Sequence, residues 1–216
     1  EITSRPQPRA ISGPHVKARG RIAAIVLAAG RSQRMGEVNK LLLPLGEVVM
    51  VRRVVNALAD SKVDEIVVVT GHQEQAVRAA LAGVPLRFVH NPDYVDGLSS
   101  SLRAGIEALS NDTDGAMIVL GDMPFVSSAA FNRIIDAYQA DEDVWVAVAS
   151  CNGKRGNPVL WSRRFFDALK AIEGDRGARH LLYQNEAVLA DVDIGMAAAM
   201  DIDTPEALSE AMGRWV

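Results

Sequence analysis

Short apolar, β-branched segments that alternate with longer amphipathic ones predict an α/β protein, a doubly wound, mostly parallel sheet flanked by helices. Three observations carry this expectation. Beyond Arg21, the segments IAAIVL (22–27), EIVVVT (65–70), LRFV (86–89), AMIVL (116–120) and VWVAVA (144–149) are too short for helices and apolar on both faces, as strands covered on both sides are. Between them, stretches near 48–60, 73–82, 100–109 and 127–139 place apolar residues three and four apart and are long enough to cross over between parallel strands. Finally, a chain of 216 residues that is 49% hydrophobic can bury one substantial core.

After residue 150 the alternation loosens. The segment CNGKRGNPVLW reads as turn-rich, and it precedes an aromatic helix around 162–171, then GDRGAR and a helix running to Gln184. A strand at 187–192 and a closing helix from Pro205, with Thr204 as its N-cap, complete the chain. Residues 1–20 hold three prolines and several charges with no hydrophobic period, so they read as a disordered linker or tag ahead of one domain at 21–216. The chain begins without Met, which fits a processed chain or the C-terminal part of something longer.

The formal charge of −4 hides an asymmetry: five basic residues and one acidic one lie within the first 21, leaving 18 basic against 26 acidic beyond them. A domain that acidic is a poor general binder of nucleic acid, whose affinity comes from clustered Lys and Arg. Cys151 is the only cysteine, which excludes an intramolecular disulfide and fits a reducing cytoplasm. No apolar run reaches the roughly 18 residues of a membrane span, and no signal-peptide pattern opens the chain, so a soluble, cytoplasmic protein is expected.

The segment LAAGRSQRMG (27–36) follows the first strand directly, at the edge of an α/β sheet where ligands bind. Ala28, Ala29 and Gly30 are small enough to let a phosphate approach the main chain, and Gly36 permits a positive φ. Arg31, Arg34 and Lys40 add positive charge. No Gly-Lys-Ser/Thr closes the loop and no G-x-G-x-x-G is present, so neither common nucleotide fingerprint applies. Taken alone the loop is either a phosphate cradle or a tight turn with solvated arginines. The joint presence of small residues, arginines and Lys40 favours the cradle.

Strand AMIVL runs into Gly121, Asp122, Met123 and Pro124, setting a carboxylate at the carboxyl edge of the sheet. Far along the chain, DIDTP places Asp201 and Asp203 two residues apart, on one face of an extended segment. Magnesium prefers a few carboxylates plus water and phosphates, so Asp122 with Asp203 or Asp201 suits a metal-triphosphate site. Singly, Asp122 reads as a turn residue and Asp203 as a helix cap. His72 in TGHQ reads as a helix-start residue or a nucleotide contact, and Ser99, Ser100 and Ser101 as an N-cap cluster whose free N–H groups are also a place for a base edge or phosphate. Cys151 reads as an ordinary thiol, and Trp145 and Trp161 as packing residues.

LAAGRSQRMG with NKLLLPLG, VVTGHQ, NPDYVDGLSSSLRAG, GDMPF, GNPVLW, GDRGAR and DIDTPEAL, in this order across residues 22–208, resembles the molybdenum cofactor cytidylyltransferases, a molybdopterin nucleotidyltransferase-like branch of the nucleotide-diphospho-sugar transferase fold. The resemblance implies a Rossmann-like fold and transfer of CMP from CTP to the phosphate of the molybdenum-bearing pterin, with Mg2+ and release of pyrophosphate. It implies that Leu27, Ala28, Ala29, Gly30, Arg31, Ser32 and Gly36 hold the nucleotide, with Arg34 and Lys40 on its phosphates. By the same carry-over, Asp122 and Asp203 hold the metal, and Ser99, Ser100, Ser101 and Arg103 lie near the base. Guanylyltransferase relatives tend to have LAGG where this chain has Leu27 to Gly30, so Ala29 points to cytidine. A molybdoenzyme or its chaperone is the implied receiver of the product. Arg155, Asn157 and Pro158 form a turn suited to an anionic acceptor, and Asp175 and Arg176 start a helix that faces one; each is equally readable as loop structure. The acceptor phosphate is ionised at neutral pH, so no side-chain base is required.

Two other readings stay open. One is transfer of a cytidylyl or guanylyl group to another small phosphate; the other is a nucleotide-sensing module that binds without reacting.

Overall fold

The computed structural model describes residues 20–31, 39–174, 178–200, 202, 209–210 and 213. In chain order the elements are β1 (Arg21–Ala28), β2 (Pro44–Leu45), β3 (Val48–Val49), α1 (Met50–Ala59), β4 (Glu65–Thr70), α2 (Glu74–Ala80), β5 (Arg87–His90), α3 (Leu98–Glu107), β6 (Thr113–Leu120), α4 (Ser128–Ala140), β7 (Val146–Cys151), β8 (Lys154–Ser162), α5 (Phe166–Lys170), α6 (Arg179–Gln184) and β9 (Leu189–Asp193). Seven strands form one sheet in the order β5-β4-β1-β6-β8-β7-β9, and β2 with β3 forms a small separate hairpin. All pairs in the large sheet are parallel except those of β8, which runs antiparallel to both β6 and β7.

The uninterrupted apolar strands are explained by two cores. Ile22, Ala24 and Val26 of β1 point to one face, against α1 and α4 through Val54, Leu58, Phe131 and Ile134. Ile25 and Leu27 point to the other, with Leu102 and Ile106 of α3, Trp161, and Leu169 of α5. Successive side chains alternate across a strand, so only a sheet covered on both faces requires every position to be apolar.

The sequence expectation fails after β7. The segment CNGKRGNPVLW is not a run of turns. Asn152 (φ 49°) and Gly153 (φ 76°) alone make the turn, and Lys154–Ser162 returns as a nine-residue strand. Two consecutive positive φ values are what a two-residue hairpin linking right-twisted strands needs, and Asn-Gly is the pair that adopts them most readily. Two strand boundaries shift in the same region. Expected at 144–149, β7 occupies 146–151, and the strand expected at 187–192 occupies 189–193 after a 3-10 turn at Glu186–Val188. The aromatic helix expected at 162–171 divides into a 3-10 turn, Arg163–Phe165, and α5. Thr204 and the start of the closing helix at Pro205 lie outside the described residues, as do residues 1–19. Among the described residues no helix is long and apolar enough to cross a membrane.

Candidate active site

Because β1, β4 and β6 are parallel neighbours, their carboxyl ends open on the same edge, and backbone hydrogen bonds tie the loops that follow. Gly121 donates its N–H to the Leu27 carbonyl at 3.1 Å, and His72 donates to the Ala29 carbonyl at 3.2 Å. Ala28 and Ala29 are buried here, whereas Gly30 and Arg31 are exposed. Ser32, Arg34 and Gly36 lie outside the described residues. Past the loop, the buried Asn39 accepts the Leu41 N–H on its side-chain oxygen, starting a 3-10 turn (Lys40–Leu42) that presents Lys40. The Lys40 ammonium lies 2.5 Å from Asp122 Oδ2, and both side chains are largely withdrawn from solvent.

A third segment reaches this edge from beyond β9. Ile202, the residue between Asp201 and Asp203, is 1% exposed and donates its N–H to the Asp122 carbonyl at 3.1 Å. Asp201 and Asp203 themselves lie outside the described residues. A close approach upstream sets the path to Ile202: a Cβ on Gly156 would collide with the carbonyl of Ala198, so the start of β8 and the 3-10 turn Gly195–Ala198 pack backbone to backbone. Asp122 places a carboxylate at this edge, a hard oxygen donor of the kind a divalent cation takes. Among the described residues, no group of three or more His, Cys, Asp or Glu converges on one point.

Beside this edge is a cavity of about 750 Å³. Its floor is apolar, with Leu27, Leu120, Leu102, Val159 and the buried Trp161, and it lies under the N-terminus of α3. That helix has Gly97 as its N-cap and no side chain closing its first turn. The three serines divide. Asn91 donates through Nδ2 to the oxygens of Ser100 and Ser101, and the Ser100 hydroxyl bonds the carbonyls of Asp93 and Gly97. Ser99, 5% exposed, lines the cavity. Arg103 donates instead to the Lys170 carbonyl at 3.1 Å and is not part of the cavity wall.

On the far wall, Arg155 and Asn157 line the cavity, whereas Pro158, joined to Asn157 by a cis peptide, is buried behind it. Arg155 reaches across β7 to β9: its Nε and Nη2 bond the two oxygens of Asp191 at 2.7 and 3.0 Å, and its Nη1 and Nη2 bond the two oxygens of Glu186 at 2.6 and 3.0 Å. The bonds to Asp191, then those to Glu186, raise the guanidinium pKa above the ordinary arginine value, and Arg155 in turn lowers both carboxyls. Neither Glu186 nor Asp191 stands out in the sequence: Glu186 is a single acid in QNEAVL, and Asp191 alternates with apolar residues in the strand LADVD. Asp175 and Arg176 lie outside the described residues.

This edge of the sheet, and the chain around it, match the MobA-like NTP transferase domain over residues 24–188. The chain belongs to that family. PucB of Bacillus subtilis (strain 168), a purine catabolism protein, is 34% identical over 202 residues, covering 86% of this chain and 93% of PucB. Nicotine blue oxidoreductase of Paenarthrobacter nicotinovorans is 28% identical over 191 residues, covering 86% and 93% of the two chains. Molybdenum cofactor cytidylyltransferase of Escherichia coli (strain K12) is 28% identical over 198 residues, covering 90% and 97%. Among solved structures, a nucleotidyl transferase from Methanothermobacter thermautotroptrophicus superposes with a TM-score of 0.78 at 28% identity, covering 90% and 97%. Rv0371c of Mycobacterium tuberculosis H37Rv, in complex with manganese, gives 0.77 at 26%, covering 89% and 98%. The fold is that of the nucleotide-diphospho-sugar transferases, and the family is one of nucleotidyltransferases.

Proposed function

We propose that the chain transfers CMP from CTP to the phosphate of a molybdenum-bearing pterin, releasing pyrophosphate and using Mg2+. The observation that carries the reading is the Ile202–Asp122 hydrogen bond: the residue between Asp201 and Asp203 is tied to the backbone of Asp122, whose side chain pairs with Lys40. Three segments far apart in the sequence thus meet at the carboxyl edge of the sheet.

In this reading Leu27, Ala28, Ala29, Gly30, Arg31, Ser32 and Gly36 cradle the triphosphate, and Arg34 and Lys40 neutralise the charge that gathers on the departing pyrophosphate. Asp122, with Asp203 and Asp201, holds the metal, which when bound adds positive charge at the phosphates. Ser99 offers its hydroxyl to the nucleotide, while Ser100 and Ser101 hold the N-terminus of α3 in place. Arg103 supports the helix from outside. Arg155, Asn157 and Pro158, with Asp175 and Arg176, shape the acceptor end. The acceptor phosphate is already an anion, so the residues align it and exclude water without removing a proton. The product passes to a molybdoenzyme or its chaperone, and the protein works in the cytoplasm.

The test is to incubate the protein with Mg2+, each radiolabelled nucleoside triphosphate in turn and the pterin phosphate, and to measure pyrophosphate. Turnover with CTP alone supports the reading. Turnover only with a different phosphorylated acceptor moves the assignment to another small phosphate, an outcome made concrete by relatives of similar coverage named for purine catabolism and for an oxidoreductase. Tight nucleotide binding without turnover on any acceptor supports a sensing module.

A further inference from the structure

The charges around the cavity are not distributed as a single basic patch. Four of the five N–H donors of Arg155 are consumed by Glu186 and Asp191, and the three side chains together carry one net negative charge. A phosphate brought to that guanidinium has to displace a carboxylate or lie against two of them. Two other cations stand on the same wall. Lys154 begins β8 and Arg179 begins α6; both line the cavity, and among the described residues neither side chain makes a hydrogen bond or ion pair. Beneath them the wall is apolar, with Trp161, Val159 and Leu182, and a low-dielectric surface concentrates the field of a nearby charge. The cavity continues to Leu27 and Leu120, so it joins these cations to the strand ends that lead into the first loop and Asp122. Ser99 lines the same space, so a hydroxyl-bearing residue stands on the wall with these cations.

Resting on the function proposed above, we infer that Lys154 and Arg179 receive the anionic, phosphate-bearing part of the acceptor, and that Arg155 is a positioning residue that fixes the wall through Glu186 and Asp191. The assignment moves the anion-binding role from Arg155, where the sequence puts it, to its neighbours on the cavity wall. Lys154 and Arg179 bind; Arg155, one residue from Lys154, holds the hairpin to β9.

The experiment uses the full chain and the variants Lys154→Gln, Arg179→Gln, their double variant and Arg155→Lys, assayed with CTP, Mg2+ and the pterin phosphate at several NaCl concentrations. Each single charge removal is expected to raise KM for the acceptor about 10-fold with KM for CTP unchanged, and the double variant to lose most of the salt dependence of acceptor KM. Arg155→Lys is expected to lower the melting temperature and to disturb both substrates. Wild-type acceptor KM in Lys154→Gln and Arg179→Gln overturns the inference. Should the wild-type protein transfer nothing to this acceptor, the functional reading fails separately. Calorimetric titration with the phosphorylated and the dephosphorylated pterin then decides the anion site: preference for the phosphorylated form, lost in the double variant, supports it, whereas equal affinity or no binding of either overturns it.

Discussion

The N–H of Ile202 is bonded at 3.1 Å to the carbonyl of Asp122, although the two residues are separated by most of the second half of the chain. Asp122 is thereby held on three sides: by β6 behind it, by the Lys40 ammonium on its carboxylate and by the returning chain on its carbonyl.

Asp122→Asn keeps the shape of the side chain and removes its charge. Nucleotidyl transfer is expected to fall by about 10²–10³-fold, the range seen when one electrostatic group is removed from a reacting centre. The melting temperature is expected to fall as well, because the largely buried Lys40 ammonium loses its charge partner, so activity is measured where the variant is fully folded. Steady-state kinetics beside a thermal melt check both, and full activity in the variant would remove Asp122 from the metal site.

Acid should loosen the Arg155 clamp. Arg155 depresses the pKa of both Glu186 and Asp191 below the ordinary values of 4.5 and 3.8. The stabilisation is therefore complete above those ordinary values and is lost as pH falls through the depressed folded-state values. Melting temperature should be flat from pH 7 to about pH 5 and should decline below about pH 4, with a smaller decline in Arg155→Met, which has no clamp to lose. Equal slopes in the two proteins would show that the clamp contributes nothing to stability.

Gly156→Ala puts a methyl group against the Ala198 carbonyl, a backbone atom that cannot rotate away. A cost of about 1–3 kcal/mol is expected from overpacking. Urea denaturation measures it. Because the 3-10 turn at Gly195–Ala198 leads to Ile202, activity should fall further than the lost stability explains, even under conditions where the variant is fully folded.

Gly153→Ala tests the hairpin. At φ 76° an alanine is strained, and destabilisation of about 1 kcal/mol is expected, whereas Asn152→Gly, at φ 49°, should change stability by less. Comparable losses in both variants would argue against the turn conformation.

Much of this architecture is readable from local pattern. IAAIVL, EIVVVT and AMIVL fall within β1, β4 and β6, and the stretch at 127–139 coincides with α4, because a strand or helix buried along a continuous face leaves its period in the sequence. The hairpin was obscured by its own composition: Gly153, Gly156 and Pro158 lie in or beside β8 and read as turn residues, although Asn152-Gly153 is a hairpin signal. The site was legible where chemistry is concentrated in a motif, as with Lys40 and Asp122. It was illegible where partners are remote. Nothing near Arg155 announces Asp191, 36 residues away, or shows that the guanidinium is already engaged. Lys154 and Arg179 are unreadable for the complementary reason: a cation acquires meaning from a cavity wall that only the folded chain supplies.

The reversed direction of β8 divides the labour of the sheet between two kinds of strand end. β1, β4 and β6 meet the reaction edge with their last residues, while β8 meets it with its first, Lys154 to Pro158, immediately after a two-residue turn. Across that turn and strand start, Gly153 and Gly156 are set by backbone geometry, whereas Lys154 and Asn157 line the cavity. On the function proposed above, changes at those lining positions would retune the acceptor wall without touching the strand ends that lead into the first loop.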